Sequence, residues 1–139
     1  MNLIHTLRRA ATAALAAIAV TAMLPSCSPK LQYTDAEPAQ FETLIAQPDV
    51  QLLDVRTPAE FMEGHIEGAR NVDWLAGESD FADRAKAVLT KGKPVAVYCR
   101  SGRRSAAAAQ ALTRAGFKHV TNLTGGILGW QVAGHPLVK

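Results

Sequence analysis

Val95-Ala-Val-Tyr-Cys99-Arg-Ser-Gly-Arg-Arg-Ser105 is the stretch whose reading decides this chain: an apolar run stops at a cysteine and gives way at once to arginines and a glycine. Val95 to Tyr98 reads as a short buried strand. From Ser105 to Ala115 the sequence is rich in alanine, with Ala108, Ala111, Leu112 and Ala115 on one helical face. Cys99 is therefore expected where a strand ends and a helix begins.

A loop wrapping from a strand end into a helix N-terminus points backbone N–H groups, and the positive end of the helix dipole, at its centre. Arg100, Arg103 and Arg104 add positive charge there, and both effects favour the thiolate of a cysteine held in that position. Gly102 allows positive φ and close approach of backbone to a small anion. Arg100, Ser101, Gly102, Arg103, Arg104 and Ser105 are thus expected to form a cup for an anion, with Cys99 as the nucleophile at its base. An inert core cysteine is the commoner case. A core thiol, however, gains nothing from three adjacent guanidinium groups, whose unpaired burial is costly.

Two more stretches stand with this one in a fixed order: Leu53-Asp-Val-Arg-Thr-Pro-Ala-Glu-Phe-Met-Glu-Gly-His-Ile-Glu-Gly-Ala69 before it and Gly125-Gly-Ile-Leu-Gly-Trp130 after it. Cys99 to Ser105 resembles the active-site loop of rhodanese (sulfurtransferase) domains, and the flanking stretches resemble that family's N-terminal and C-terminal signatures. The resemblance spans the chain from about residue 35 onward and implies a single three-layer α/β/α domain. Short apolar strands alternating with helices lead separately to the same expectation, a mainly parallel sheet covered on both faces.

The resemblance also implies a ping-pong cycle. Cys99 would take the outer sulfur of a donor such as thiosulfate as a persulfide, then yield it to a thiol or cyanide. Cofactor and metal are not expected: a zinc site, a disulfide framework or a CxxC pair needs more cysteines or histidine partners than this chain offers. The acceptor should arrive in trans, as a small molecule or a partner protein.

The first residues read as an export segment. Arg8 and Arg9 precede an apolar run from Ala10 to Leu24, too short to span a bilayer comfortably and suited to a secretory signal. Leu24-Pro-Ser-Cys27 resembles a bacterial lipobox, which makes residues 1–26 a signal peptide, Cys27 a lipidated N-terminus, residues 27–35 a tether and residues 36–139 the domain. The expected location is lipid-anchored and periplasm-facing; ordinary cleavage near Ser26 would leave a soluble periplasmic protein instead. Arg8 and Arg9 supply two of the three net positive charges of the chain, so its basic balance is largely an export feature. With the remaining positive charge clustered at one loop and no binding motif beside it, nucleic acid is not an expected partner.

Elsewhere the pattern predicts a helix from Glu37-Pro38 with Phe41, Leu44 and Ile45 inward, and a strand from Val50 to Val55. Thr57, Pro58 and Glu60 form a capping box that starts a short helix, with Phe61 inward. Asp54 and Arg56, at a strand's C-terminal end, are either a structural ion pair or part of the catalytic rim, the structural role being the commoner. His65 is expected to fix a tight connection by hydrogen bonds rather than to act as a base. Ser79 should cap a helix with Phe81, Ala85, Val88 and Leu89 inward; His119 to Leu123 should form the last strand; Trp130 should anchor the core.

Two rival functions remain open on sequence. Cell-cycle phosphatases share the fold that the resemblance implies, and a phosphatase or arsenate reductase could use a similar cup. Protein phosphatases place the loop's arginine one residue further along, where this chain has Ser105, and the tighter loop favours a sulfur-sized ligand. The other rival is a sulfane-sulfur carrier or binding module at a membrane, which would share the loop with the enzyme. Arg103, standing where family loops often have a small polar residue, should favour anionic donors.

Overall fold

The computed structural model describes residues 33–139. The expected signal segment, Cys27 and most of the tether lie outside the described residues. Among those described, β1 (Thr34–Ala36), β2 (Gln51–Asp54), β3 (Arg70–Asn71), β4 (Val95–Tyr98) and β5 (Val120–Leu123) form one parallel sheet in the order β1-β5-β4-β2-β3. The helices are α1 (Pro38–Ile45), α2 (Pro58–Glu63), α3 (Glu78–Val88), α4 (Arg103–Arg114) and α5 (Gly126–Val132), with a short 3₁₀ turn at Trp74–Ala76.

The central strand β4 is buried at every position, and its side chains alternate between two cores. Val95, Val97 and Cys99 face Phe81, Ala85, Ala108 and Leu112 of α3 and α4. Ala96 and Tyr98 face Phe41, Ile127 and Trp130 of α1 and α5. This is the expected three-layer arrangement. Phe41 and Phe81 are each wholly buried, and burial of such a side chain contributes about 1.5–3 kcal/mol. Because all strands run in one direction, the C-terminal ends of β2 and β4 open on the same edge of the sheet, where ligands of parallel α/β folds gather.

Local signals explain most boundaries. Pro38 occupies the first position of α1, where its missing N–H costs nothing, and Glu37 and Gln40 cap it reciprocally. Thr57 caps α2 with Glu60 as its reciprocal partner. Trp130 is an edge-on neighbour of Phe41 at 6.3 Å and donates its indole N–H to Pro136 O, so it anchors the core.

Four expectations need correction. Thr34 and Asp35, read as tether, pair with Thr121 and Asn122 as an edge strand, and the Asn122 amide donates to Asp35 Oδ1 at 2.9 Å. Gly77, not Ser79, caps α3, because the 3₁₀ turn delivers the chain to the helix two residues earlier. Val88 lies on the exposed side of that helix while Leu89, just past its end, turns into the core. Finally, α4 begins at Arg103 rather than Ser105, since Gly102 adopts the left-handed conformation (φ +98°) and caps the helix.

Candidate active site

The loop after β4 is only Cys99, Arg100, Ser101 and Gly102, so Arg103, Arg104 and Ser105 form the first turn of α4. Cys99 follows the last strand residue, Tyr98, and lies inside the core with 1 % of its surface exposed. Its Sγ accepts from the Gly102 N–H at 3.1 Å and from the Ser105 hydroxyl at 3.3 Å. Ser105 is itself fully buried. The thiol therefore sits under the N-terminus of a twelve-residue helix with two donors aimed at it, an arrangement that stabilises negative charge on sulfur. At Gly102 a side chain would combine positive φ with contacts of 3.3 Å to Gly125 N and 3.4 Å to Leu123 O.

The loop is held from behind by α5. Ile127 N–H donates to Cys99 O at 2.9 Å and Leu128 N–H to Arg100 O at 3.2 Å. These amides are the orphan donors of the α5 N-terminus, and the loop carbonyls satisfy them. The approach is close enough to demand glycine: a Cβ on Gly126 (φ +59°) would stand 2.4 Å from the carbonyl carbon and oxygen of Arg100. Gly125-Gly126, read from sequence only as part of the C-terminal signature, thus shapes the loop. A glycine pair one residue past a strand is the available signal of a close backbone approach.

The three arginines separate. Arg104 forks onto Glu60, Nη1 to Oε2 at 2.8 Å and Nη2 to Oε1 at 2.9 Å. Glu60 Oε2 also accepts from the Thr57 N–H and hydroxyl, each at 3.0 Å. The bonds from Arg104, helped by those from Thr57 and opposed by burial, hold the Glu60 carboxyl down to about 2. Glu60 in turn raises the pKa of Arg104. Sequence reading gave Glu60 only its capping role and placed Arg104 with the substrate-facing residues. Arg100 and Arg103 are exposed, and among the described residues their side chains have no ion-pair partner. They also diverge: Arg100 lines a hollow of about 450 Å³ with Arg56, Gly64, Leu128, Gln131 and Leu137. Ser101, Arg103 and Arg104 line another of about 400 Å³ with Trp74.

Asp54 and Arg56 form a buried pair beside this loop. Asp54 accepts from the Arg56 backbone N–H at 2.9 Å, from Nε at 3.0 Å and from Nη2 at 2.7 Å, and Nη2 also donates to Gly64 O at 2.7 Å. Burial works against the charge on Arg56, but its bonds to Asp54 outweigh this and raise its pKa. The guanidinium lies 5.7 Å from the centre of the Tyr98 ring. Burial, with Asp54 nearby, pushes the Tyr98 phenol above its usual range, and its oxygen accepts from the Ile66 N–H at 3.0 Å. These contacts clamp the β2–α2 connection. His65 sits in the same connection: its ring stacks on Phe61 at 3.8 Å, and its backbone exchanges two 2.9 Å hydrogen bonds with Val138. Its partners are Phe61 and Val138, not Cys99. Among the described residues no cluster of His, Cys, Asp and Glu is suited to a metal ion, and no helix is long and apolar enough to cross a membrane.

With this geometry in view, the Rhodanese-like domain family matches residues 37–133. A "Sulfurtransferase" of Allochromatium vinosum is 38% identical over 90 residues, covering 65% of this chain and 79% of that protein. "Thiosulfate sulfurtransferase 18" of Arabidopsis thaliana is 34% identical over 108 residues, covering 71% of this chain and 79% of that one. Among solved structures, a rhodanese-related protein from Thermoplasma volcanium superposes with a TM-score of 0.63 at 34% identity, covering 76% of this chain and 98% of that one.

Proposed function

This chain belongs to the Rhodanese-like domain family, with sulfurtransferases among its relatives, and from that premise we propose that it moves sulfane sulfur from an anionic donor such as thiosulfate to a thiophilic acceptor through Cys99. The observation that carries the proposal is the setting of Sγ, which receives the Gly102 N–H and the Ser105 hydroxyl at the start of α4.

The first half-reaction forms one S–S bond and breaks another. The Cys99 thiolate attacks the outer sulfur of thiosulfate, and sulfite leaves with the electron pair of the broken bond. Gly102 and Ser105 stabilise the attacking sulfur, while Arg100 and Arg103 attract the dianionic donor and offset charge on the departing sulfite. In the second half-reaction an acceptor thiolate attacks the terminal sulfur of the Cys99 persulfide. The new bond gives an acceptor persulfide and returns the Cys99 thiolate; cyanide as acceptor gives thiocyanate. Cys99 is the only cysteine among the described residues, in keeping with an acceptor that arrives in trans.

The loop supports sulfur transfer over phosphatase or arsenate reductase chemistry. Ser105 stands where a phosphatase loop would place its arginine and is buried against Sγ. Arg104, the next candidate, has its fork on Glu60. As part of the same proposal, a lipid on Cys27 would hold the domain at the periplasmic face of a membrane. Detergent-phase partitioning that is lost on Cys27→Ala substitution would support this anchor; identical partitioning would remove it.

The test of the activity is thiocyanate release from thiosulfate and cyanide by the purified protein and by its Cys99→Ser variant. Multiple turnovers that vanish in the variant support an enzyme. A single stoichiometric release, with fast transfer only to a protein acceptor, would favour the carrier instead.

A further inference from the structure

Because all strands run in one direction, they start on one edge of the sheet, opposite the edge that carries Cys99. That starting edge has its own charge pattern. In the order β1-β5-β4-β2-β3 the described chain enters β1 at Thr34; Lys118 and His119 stand next to it before β5, then Lys91 and Lys93 before β4. All four side chains are exposed, and among the described residues the three lysines have no ion-pair partner. The acids of this edge stand elsewhere. Asp49 and Glu67 precede β2 and β3 on the far side, and Asp35 of β1 accepts the Asn122 amide.

The fold holds these cations together. The Val95 N–H donates to His119 O at 2.8 Å, tying the loop before β4 to the loop before β5. Lys91 lies over the turn after α4, its Nζ 3.3 Å from where a Cβ on Gly116 would stand. Further along the same edge, Arg70 and Lys93 line a hollow of about 250 Å³ with Gln51, Thr90 and a single acid, Asp49. By contrast Arg114 and Lys86, at the ends of α4 and α3, are paired with Glu78 and Asp83. Like charges gathered without counter-charges repel one another, a cost that an anionic surface laid against them offsets.

The place where the chain enters says which surface that is. Thr34 lies seven residues after Cys27, a reach of at most about 25 Å. A lipid on Cys27 therefore brings the lysine edge to the bilayer, while Cys99, four residues along from Val95, stands about 13 Å further up the sheet.

We propose that the edge carrying Lys91, Lys93 and Lys118 docks on anionic phospholipid headgroups, so that the Cys99 loop opens away from the bilayer toward water-soluble donors and acceptors. The choice of a bilayer as partner rests on the anchor proposed at Cys27; the charge pattern does not. A basic patch and a lipid anchor reinforce one another, each lysine beside an anionic surface being worth roughly fivefold in partitioning.

The test mixes the purified protein with vesicles of phosphatidylcholine, alone or with phosphatidylglycerol, and reads flotation with the vesicles and the acetylation rate of each lysine by mass spectrometry. With phosphatidylglycerol present, Lys91, Lys93 and Lys118 are expected to react roughly fivefold more slowly than on phosphatidylcholine alone, a difference erased by high salt. Lys139, two residues past Leu137 of the hollow beside Arg100, keeps its rate on both. Flotation with both kinds of vesicle but no selective protection, or equal slowing of Lys139, overturns the docking and leaves the anchor standing. Flotation only with phosphatidylglycerol, with the three lysines protected, supports the docking and removes the anchor. That flotation should be lost when Lys91→Gln, Lys93→Gln and Lys118→Gln are combined, with thiocyanate release in solution unchanged; flotation that survives the triple substitution overturns the docking. No flotation with either vesicle overturns docking and anchor together.

Discussion

Arg104 lays its guanidinium across the carboxylate of Glu60 with two parallel bonds of 2.8 and 2.9 Å, joining the first turn of α4 to the first turn of α2. The two residues lie 44 positions apart in the chain. One carboxylate thereby caps α2 through Thr57 and braces the helix whose N-terminus faces Cys99. A planar fork on a carboxylate fixes orientation as well as distance.

This brace has a definite pH signature. The Glu60 carboxyl, at about 2 in the folded protein, lies below its ordinary value of 4.5. Its stabilisation is complete above the ordinary value and is lost as pH falls through the folded one. Urea midpoints of the wild type and Glu60→Gln should therefore differ by a constant amount above about pH 5 and converge as pH drops toward 2. A gap that stays constant down to pH 3 would contradict the brace.

Gly126 tests how tightly α5 holds the loop. Gly126→Ala places a Cβ 2.4 Å from the Arg100 carbonyl in a left-handed conformation, and should cost at least about 2 kcal/mol. Gly134, also at positive φ (+88°) but with nothing within 4 Å of a Cβ, serves as the control. Its alanine variant should lose only the conformational part, about 1–2 kcal/mol, and retain sulfur transfer, whereas Gly126→Ala should lose both stability and transfer. Equal urea midpoints for the two variants would speak against the close packing.

Ser105→Ala removes one of two donors to Sγ and nothing from the surface. A hydrogen bond to a charged group is worth about 1.5–3 kcal/mol, so kcat/KM for thiosulfate should fall roughly 10- to 100-fold. Thermal unfolding should shift little. An unchanged kcat/KM would show that the hydroxyl does not stabilise the reacting sulfur.

Arg103 is exposed and unpaired among the described residues, beside Ser101 at the rim of the loop. Arg103→Asn should raise KM for thiosulfate more than for a neutral sulfane donor, and the difference should shrink as salt is added. Equal effects on both donors would sink a charge-selecting role.

The features that sequence reveals are those encoded locally. The buried run Val95–Tyr98 and the cap Thr57-Pro58-Glu60 can be read residue by residue, because burial on both faces and helix capping each leave a short pattern. The setting of Cys99 in the candidate site is legible for the same reason: strand end, glycine and helix start are contiguous. What escapes is whatever depends on residues brought together by the sheet. The Glu60–Arg104 fork is invisible because the capping box already accounts for Glu60. The start of α4 is misplaced because arginines beside a cysteine look like loop, while the left-handed Gly102 admits them to the helix. Thr34–Ala36 is polar and short, and only its pairing with β5 makes it a strand.

The measurement closest to the central claim is the intact mass of the purified protein after incubation with thiosulfate, beside its Cys99→Ser variant. Sulfur transfer through Cys99 predicts a gain of one sulfur atom, absent in the variant and removed by cyanide with release of thiocyanate. No gain with thiosulfate or any other sulfane donor, in protein whose Cys99 is shown to be reduced, would contradict the account.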